Sequence, residues 1–322
     1  MKSKTSASSN ETKEKKSLLK RVLIRLINIL LYRYRKIKRK VTYYNINIFP
    51  RIYRPSSKPY ISGDSFRKMA NHIFDETTGF KPEEVKEGDV MFLKSDSINI
   101  YFNYFHSQIN NRYILITHNS DFIIEEEHRK LFDNKIIHWF GQNLNFPIDK
   151  NFSLLPIGLE NKRYLNNGVL SHFKRYQNAI KTSLILSSFN EGTNKERSIV
   201  QEIIKKNKLV TNKKFPNHKT YIKHMSTFKY NVCPPGNGLD THRFWESLMV
   251  NTIPIVVKTK FTSNLEKLGI PGLYLDKWSD LNNFNNEELN NIYTEMIEKN
   301  NFKTFLYYDF WKDLISKKST NV

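Results

Sequence analysis

Residues 228–257 read FKYNVCPPGNGLDTHRFWESLMVNTIPIVV, and the order of residue types spells a strand, a loop, a helix and a second strand. Phe228–Cys233 is a short apolar and aromatic run suited to a buried strand. Pro234-Pro235-Gly236-Asn237-Gly238 cannot continue it, because proline donates no N–H and glycine and asparagine favour turns. Asp240 then stands where a helix N-cap is expected. Over Thr241–Val250 a helix puts Phe244, Trp245, Leu248 and Met249 on an apolar face, and His242, Arg243 and Glu246 on a polar one. Ile253–Val257 is a second buried strand. Such a βαβ unit sets its loop and helix N-terminus at the carboxyl edge of a parallel sheet, where open α/β sheets take ligands.

The same alternation extends outward through the 322 residues. Strands are expected at Val90–Leu93, Tyr113–Thr117, Ile136–Phe140 and Leu184–Leu186, and helices at Lys195–Lys206 and Glu287–Lys299. The reading is an α/β protein of two Rossmann-like lobes, parallel sheets covered by helices, with a cleft between them. The lobes divide near the weakly patterned stretch 165–181, which contains Asn166-Asn167-Gly168. No repeat of solenoid period is present. With 39% apolar residues, 11 Gly and 11 Pro, the chain can bury a core and is neither collagenous nor disordered throughout. The single Cys233 excludes an internal disulfide framework and a Cys-rich zinc site.

A net charge of +21 invites a nucleic-acid reading. Its location removes most of that appeal. Residues 1–58 hold 17 basic and 2 acidic side chains, a net of +15, while the remainder holds 35 against 29, leaving +6. Residues 1–17 are expected to be a disordered tail. In 18–34, Leu19, Val22, Leu23, Leu26 and Leu30 recur at helical spacing opposite Arg21, Arg25 and Asn28. Spanning a membrane takes about 20 apolar residues, and the longest charge-free run here is Leu26–Tyr32. The amphipathic segment, followed by RYRKIKRK through Lys40, therefore suits either an anionic membrane surface or packing against the body. Without a span, a cleavable leader pattern or disulfides, a cytoplasmic protein, peripheral on a membrane, is expected.

The chemistry concentrates at the helix start. A cation in a first helical turn is locally unfavourable unless an anion lies close by, and Arg243 occupies that turn. A diphosphate would meet the helix N–H groups, the glycine loop and the guanidinium together. One turn on, Glu246 has the reach to accept from both hydroxyls of a ribose. The plainer alternative is that Arg243 and Glu246 form an i, i+3 surface pair and the glycines only a turn.

The string CPPGNGLDTHRFWESLMVNTIPIV resembles the donor-site signature of exostosin-like, family-47 type glycosyltransferases and of related ribitol xylosyltransferase-like proteins. The matching positions are Pro235, Gly236, Arg243, Glu246 and Ile253-Pro254-Ile255, with Asn251 where a helix-ending glycine is usual. Weaker similarity runs through ILITHNSD (114–121), HWFGQN (138–143), LLPIGLEN (154–161) and TNKER (193–197). The resemblance implies a GT-B glycosyltransferase that moves a sugar from a nucleotide-diphosphate sugar to a glycan or polysaccharide acceptor with no obligatory metal. It assigns 59–168 to an acceptor-side lobe, 169–300 to the nucleotide-sugar lobe and 301–322, rich in aromatic residues, to a helix crossing back to the first lobe.

On that basis Arg243 meets the diphosphate and Glu246 the ribose, with Gly236, Asn237, Gly238, Asp240 and His242 around them and Arg197 as a second cation. The absence of any Asp-x-Asp from the sequence argues against the divalent-metal route. A base for the acceptor hydroxyl is expected from the first lobe, from His118 or Asp121 after one strand or Asp96 after another. Trp139, Phe140, Gln142 and Asn143 have the chemistry to hold a sugar, and Glu160 and Asn161 to order the hinge. The competing classes are a catalytically inactive membrane-surface protein and a nucleic-acid-binding protein using the basic arm.

Overall fold

The structure is a computed structural model and describes residues 54–164, 167–299 and 302–320. The expected tail, and the amphipathic segment with its basic residues to Lys40, lie outside the described residues. Both lobes belong to one compact unit, Arg54–Val322.

In the first lobe, α1 (Gly63–Met69) precedes β1 (His72–Phe74) and β2 (Asp89–Lys94). After α2 (Ile98–Tyr104) come β3 (Tyr113–His118), β4 (Ile136–Gly141) and β5 (Phe152–Leu154). These five strands are parallel and lie side by side in chain order.

The second lobe starts with α3 (Leu170–Tyr176), β6 (Ser183–Ser187), α4 (Lys195–Ile204), β7 (Val210–Asn212) and α5 (His218–Met225). It continues through β8 (Phe228–Val232), α6 (His242–Met249), β9 (Ile253–Val257), α7 (Lys260–Lys267), β10 (Leu273–Leu275) and α8 (Asn286–Lys299). Its strand order is β10-β9-β8-β6-β7, again parallel throughout. The expected two-lobed α/β architecture is present. Strands β1, β5, β7 and β10 escape a reading of periodicity because each has only three residues.

The two sheets are wound differently. A parallel sheet built in one direction by right-handed crossovers receives its connections on one face. In the first lobe that face carries Tyr113 and Leu115 of β3, packed with Ile98 and Tyr101 of α2. Ile114 and Ile116 point the other way, into the cluster that holds Phe66 of α1 and Trp311 and Ile315 of α9 (Tyr308–Thr320). The C-terminal helix thus covers a face that the first lobe's own connections leave open.

Helix α9 begins at Tyr308 because a tighter turn over Phe302–Leu306 precedes it. Backbone bonds from Tyr308 N to Pro59 O (2.8 Å) and from Ile61 N to Leu306 O (3.2 Å) tie that junction to the first lobe. At the far end Ser319 Oγ donates to Gly88 O at 2.7 Å. Among the described residues no helix is long and apolar enough to cross a membrane.

Candidate functional site

The second sheet reverses its winding beside β6, where β7 lies to one side and β8 to the other. Chains leaving the carboxyl ends of adjacent strands part there and leave a crevice, the usual ligand position in such sheets. A cavity of about 480 Å³ occupies it, lined by Ser188 after β6 and by Gly236, Asn237 and Gly238 after β8.

Helix α6 presents its N-terminus to this cavity. Phe244, Trp245, Leu248 and Met249 are buried as their spacing requires. Thr241, not Asp240, is the N-cap residue, and its side chain makes no capping bond. Asp240 instead accepts Ile157 N–H at 2.7 Å and Trp245 Nε1–H at 2.8 Å. Burial raises its carboxyl to about 7 against those donors. It lines the cavity while joining α6 to the segment after β5.

The glycine loop is shaped by what approaches it. Asn143, held at a φ of 56°, accepts Asp240 N–H through Oδ1 at 2.8 Å. A Cβ on Gly238 would lie 2.8 Å from Asn143 Nδ2. Gly236 N–H donates to Gly238 O at 3.0 Å, closing the turn.

Arg197 braces the loop from behind. Its Nε donates to Pro235 O at 2.7 Å and its Nη1 to Asn190 O at 2.9 Å. Burial, then the nearby Arg243, lowers it to about 10, which leaves it charged near neutrality. Arg243 donates from Nη2 to Ser188 O at 2.9 Å, while its buried Nε has no partner among the described residues. Among the described residues carbonyls, and no carboxylate, hydrogen-bond both guanidiniums. The cavity wall therefore carries two cations beside a helix N-terminus, an arrangement suited to an anion.

Glu246 does not form the i, i+3 pair with Arg243. It accepts from His218 Nε2 at 2.8 Å, and both side chains are buried. Burial would raise the carboxyl, but the His218 bond and the surrounding positive charge hold it below the ordinary range. One oxygen is engaged, leaving the other for the cavity that Glu246 lines. Phe215 and Tyr221 supply an aromatic wall beside it, with ring centroids 6.0 Å apart. The sequence reading missed Phe215, His218, Tyr221 and Ser188. The signal was the Asn217 cap opening α5 after the three-residue β7, a strand too short to place the helix.

From the first lobe, Asp121 is exposed and reaches the same cavity. The other two candidate bases do not. His118 is fully buried, donating through Nε2 to Pro156 O at 3.1 Å and accepting Asn119 N–H at Nδ1 at 2.7 Å. Burial lowers it to about 4, so it stays neutral with both nitrogens occupied. Asp96 lines neither this cavity nor the smaller one beside it. It accepts from Ser120 Oγ at 2.6 Å and pairs with Lys94 at 3.0 Å.

Trp139 and Phe140 are likewise core residues, not a sugar platform, and Trp139 Nε1 donates to Thr117 Oγ1 at 2.8 Å. His242 donates from Nδ1 to Gly158 O at 2.7 Å and borders both cavities. Glu160 holds Asn167, accepting its backbone N–H at 3.0 Å. Asn161 accepts Asp64 N–H at 2.7 Å. Among the described residues no group of three or more His, Cys, Asp or Glu side chains is placed to hold a metal ion.

No family model matches the chain. No curated protein matches it in sequence. A solved structure described as "Trehalose-6-phosphate from E. coli bound with UDP-2-fluoro glucose" is similar over 74% of this chain and 74% of that one, at 9% sequence identity and a TM-score of 0.44. What the site can do is set by its own side chains.

Proposed function

We propose that the chain is a glycosyltransferase that moves a sugar from a nucleotide-diphosphate sugar to a glycan or polysaccharide acceptor. One observation carries this reading: Arg197 and Arg243, two guanidiniums with no carboxylate partner among the described residues, flank a glycine loop and a helix N-terminus at the switch point of the sheet. Charge developing on a departing diphosphate needs such preorganised donors. Glu246, oriented by His218, suits the ribose hydroxyls, and Phe215 and Tyr221 suit the base.

As the bond from the anomeric carbon to the diphosphate breaks, the electron pair leaves with the phosphate. The acceptor oxygen bonds to that carbon, and Asp121 takes the acceptor's proton. With two cations placed for the diphosphate, transfer proceeds without a divalent ion in this reading. The exostosin-like resemblance of 233–256 supports the same assignment of Arg243 and Glu246. The basic segment 18–40 would hold the enzyme at an anionic membrane surface.

The test is thermal unfolding of the whole chain with UDP, GDP and their sugars, since a ligand of the native state raises its melting temperature. A rise is expected with one nucleotide diphosphate, to be lost in Arg243→Ala and reduced in Glu246→Ala. No rise with any of them, or an equal rise in both variants, would overturn the reading.

A further inference from the structure

Beside the large cavity, a smaller one of about 190 Å³ opens on the first-lobe side and shares Asp121, Ile157 and His242 with it. Gln142, Asn161, Arg163 and Tyr164 build its own wall. Gln142 is only 1% exposed. Its Oε1 accepts, at 3.1 Å, the Asn119 N–H that it shares with His118 Nδ1. A backbone N–H can face only the oxygen end of an amide, so the opposite end of Gln142 is fixed as the NH2. That NH2 is buried and has no partner among the described residues, and a native structure rarely leaves such a donor unmet unless something else meets it.

Arg163 offers the cavity no spare charge. Its Nε lies 3.3 Å from Asp64 Oδ2 and its Nη1 3.7 Å from Glu76 Oε1. Its Nη2 donates to the Tyr164 hydroxyl at 3.0 Å, and its guanidinium stands 4.8 Å from that ring's centroid. Tyr164 is thereby held in place with 49% of its surface exposed. The lining thus combines an unmet N–H donor, a carboxylate acceptor at Asp121 and a half-exposed aromatic ring.

We propose that this cavity is the acceptor subsite and that it takes a neutral saccharide, with Gln142 and Tyr164 as its contacts. The proposal rests on the glycosyltransferase reading above. Saccharide hydroxyls both donate and accept, and the C–H faces of a pyranose pack on aromatic rings. A carboxylate or phosphate acceptor would meet Asp121 and find no unpaired guanidinium. The shared border at Asp121 brings an acceptor hydroxyl to the edge of the nucleotide cavity.

Saturation-transfer NMR on the whole chain, with and without the nucleotide that raises its melting temperature, tests this with neutral methyl pyranosides and the matching methyl uronides. Saturation of at least one neutral pyranoside is expected, with the uronides weaker. Gln142→Leu and Tyr164→Ala should each weaken binding about fivefold to tenfold, the scale of one lost contact. Each variant's own melting transition reports its fold, and exposed Tyr164 is the substitution least able to disturb it. Saturation of no pyranoside, equal binding of the uronides, or binding unchanged in both variants would overturn the proposal. If no nucleotide raises the melting temperature, the donor reading fails separately, and the nucleotide-free spectra still decide what the cavity binds.

Discussion

Buried and half-buried arginines are handled in opposite ways by the two lobes. In the first, Arg67 sets its Nε 2.6 Å from Asp75, Arg54 lies within 3.5 Å of Asp64 and Asp75, and Arg163 reaches Asp64 and Glu76. Each charge taken from water there has an opposite charge within reach, as burial requires. In the second, Arg197 and Arg243 hydrogen-bond carbonyl oxygens and make no ion pair among the described residues, and they lie close enough for Arg243 to depress Arg197. Carbonyl dipoles orient a guanidinium without cancelling its charge. The first set has its charges paired and serves as framework, whereas the second, in the function proposed above, is completed by an anion from outside.

That contrast predicts different losses from the same substitution. Arg67→Ala removes the nearest cation from an Asp75 that is 1% exposed and leaves Arg54, at 3.4 Å, to balance its charge, with the Thr77 and Thr78 N–H groups still donating to its other oxygen. The expected cost is about 3–5 kcal/mol of stability, measured by urea unfolding. A loss below about 1 kcal/mol would mean that the first lobe's charges are no more committed than the second's.

Arg243→Ala should do the reverse. Stability should change little, because the lost interactions are one hydrogen bond to Ser188 O and a share of the positive charge around Glu246, which keeps its His218 bond, while turnover of the nucleotide sugar should fall about 10²–10³-fold, equivalent to about 3–4 kcal/mol. A variant that unfolds more easily yet turns over normally would make Arg243 a framework residue too.

The sequence was legible where the structure is local. The segment 228–257 carried its βαβ unit in plain order, since a strand, a Pro/Gly loop and a periodic helix each leave a local signature. Arg243 stood out because a cation in a first turn contradicts the helix dipole. What was hidden is non-local. His218 meets Glu246 across 28 residues, and Asn143 meets Asp240 across 97. His118 looked like a base because it follows a strand, but a sequence does not show that Pro156 O and Asn119 N–H will use both its nitrogens. The direction of winding was also illegible, because it depends on which short strands pair.

Asp240 joins the lobes and gives that junction a pH dependence. The folded chain holds its proton up to about 7, well above the ordinary carboxylate range. Between that range and about 7 the folded state binds the extra proton, so this group makes stability fall as pH rises, by up to about 1.4 kcal/mol per pH unit. Above about 7 its contribution levels off. Asp240→Asn removes the proton, so unfolding midpoints measured from pH 4 to 8 should fall less steeply in the variant than in the wild type. Parallel curves would show that the junction carries no such dependence.

The smallest effect separates two carboxylates at the first lobe's carboxyl edge. Asp96 follows β2 and Asp121 follows β3, so sequence position alone made both candidate bases. Only Asp121 reaches the cavities, while Asp96 holds Ser120 and Lys94 at the surface. Lys94 and the Ser120 hydroxyl depress the Asp96 carboxyl despite the opposing effect of its partial burial. Asp96→Asn keeps an oxygen for the Ser120 hydroxyl and loses only an exposed ion pair, worth about 0.2–1 kcal/mol. Turnover should stay within about twofold of the wild type, whereas Asp121→Asn should lower it by the about 10²–10⁴-fold that a general base contributes. Equal losses in the two variants would return Asp96 to the site, and the first lobe would then present two carboxylates to the acceptor instead of one.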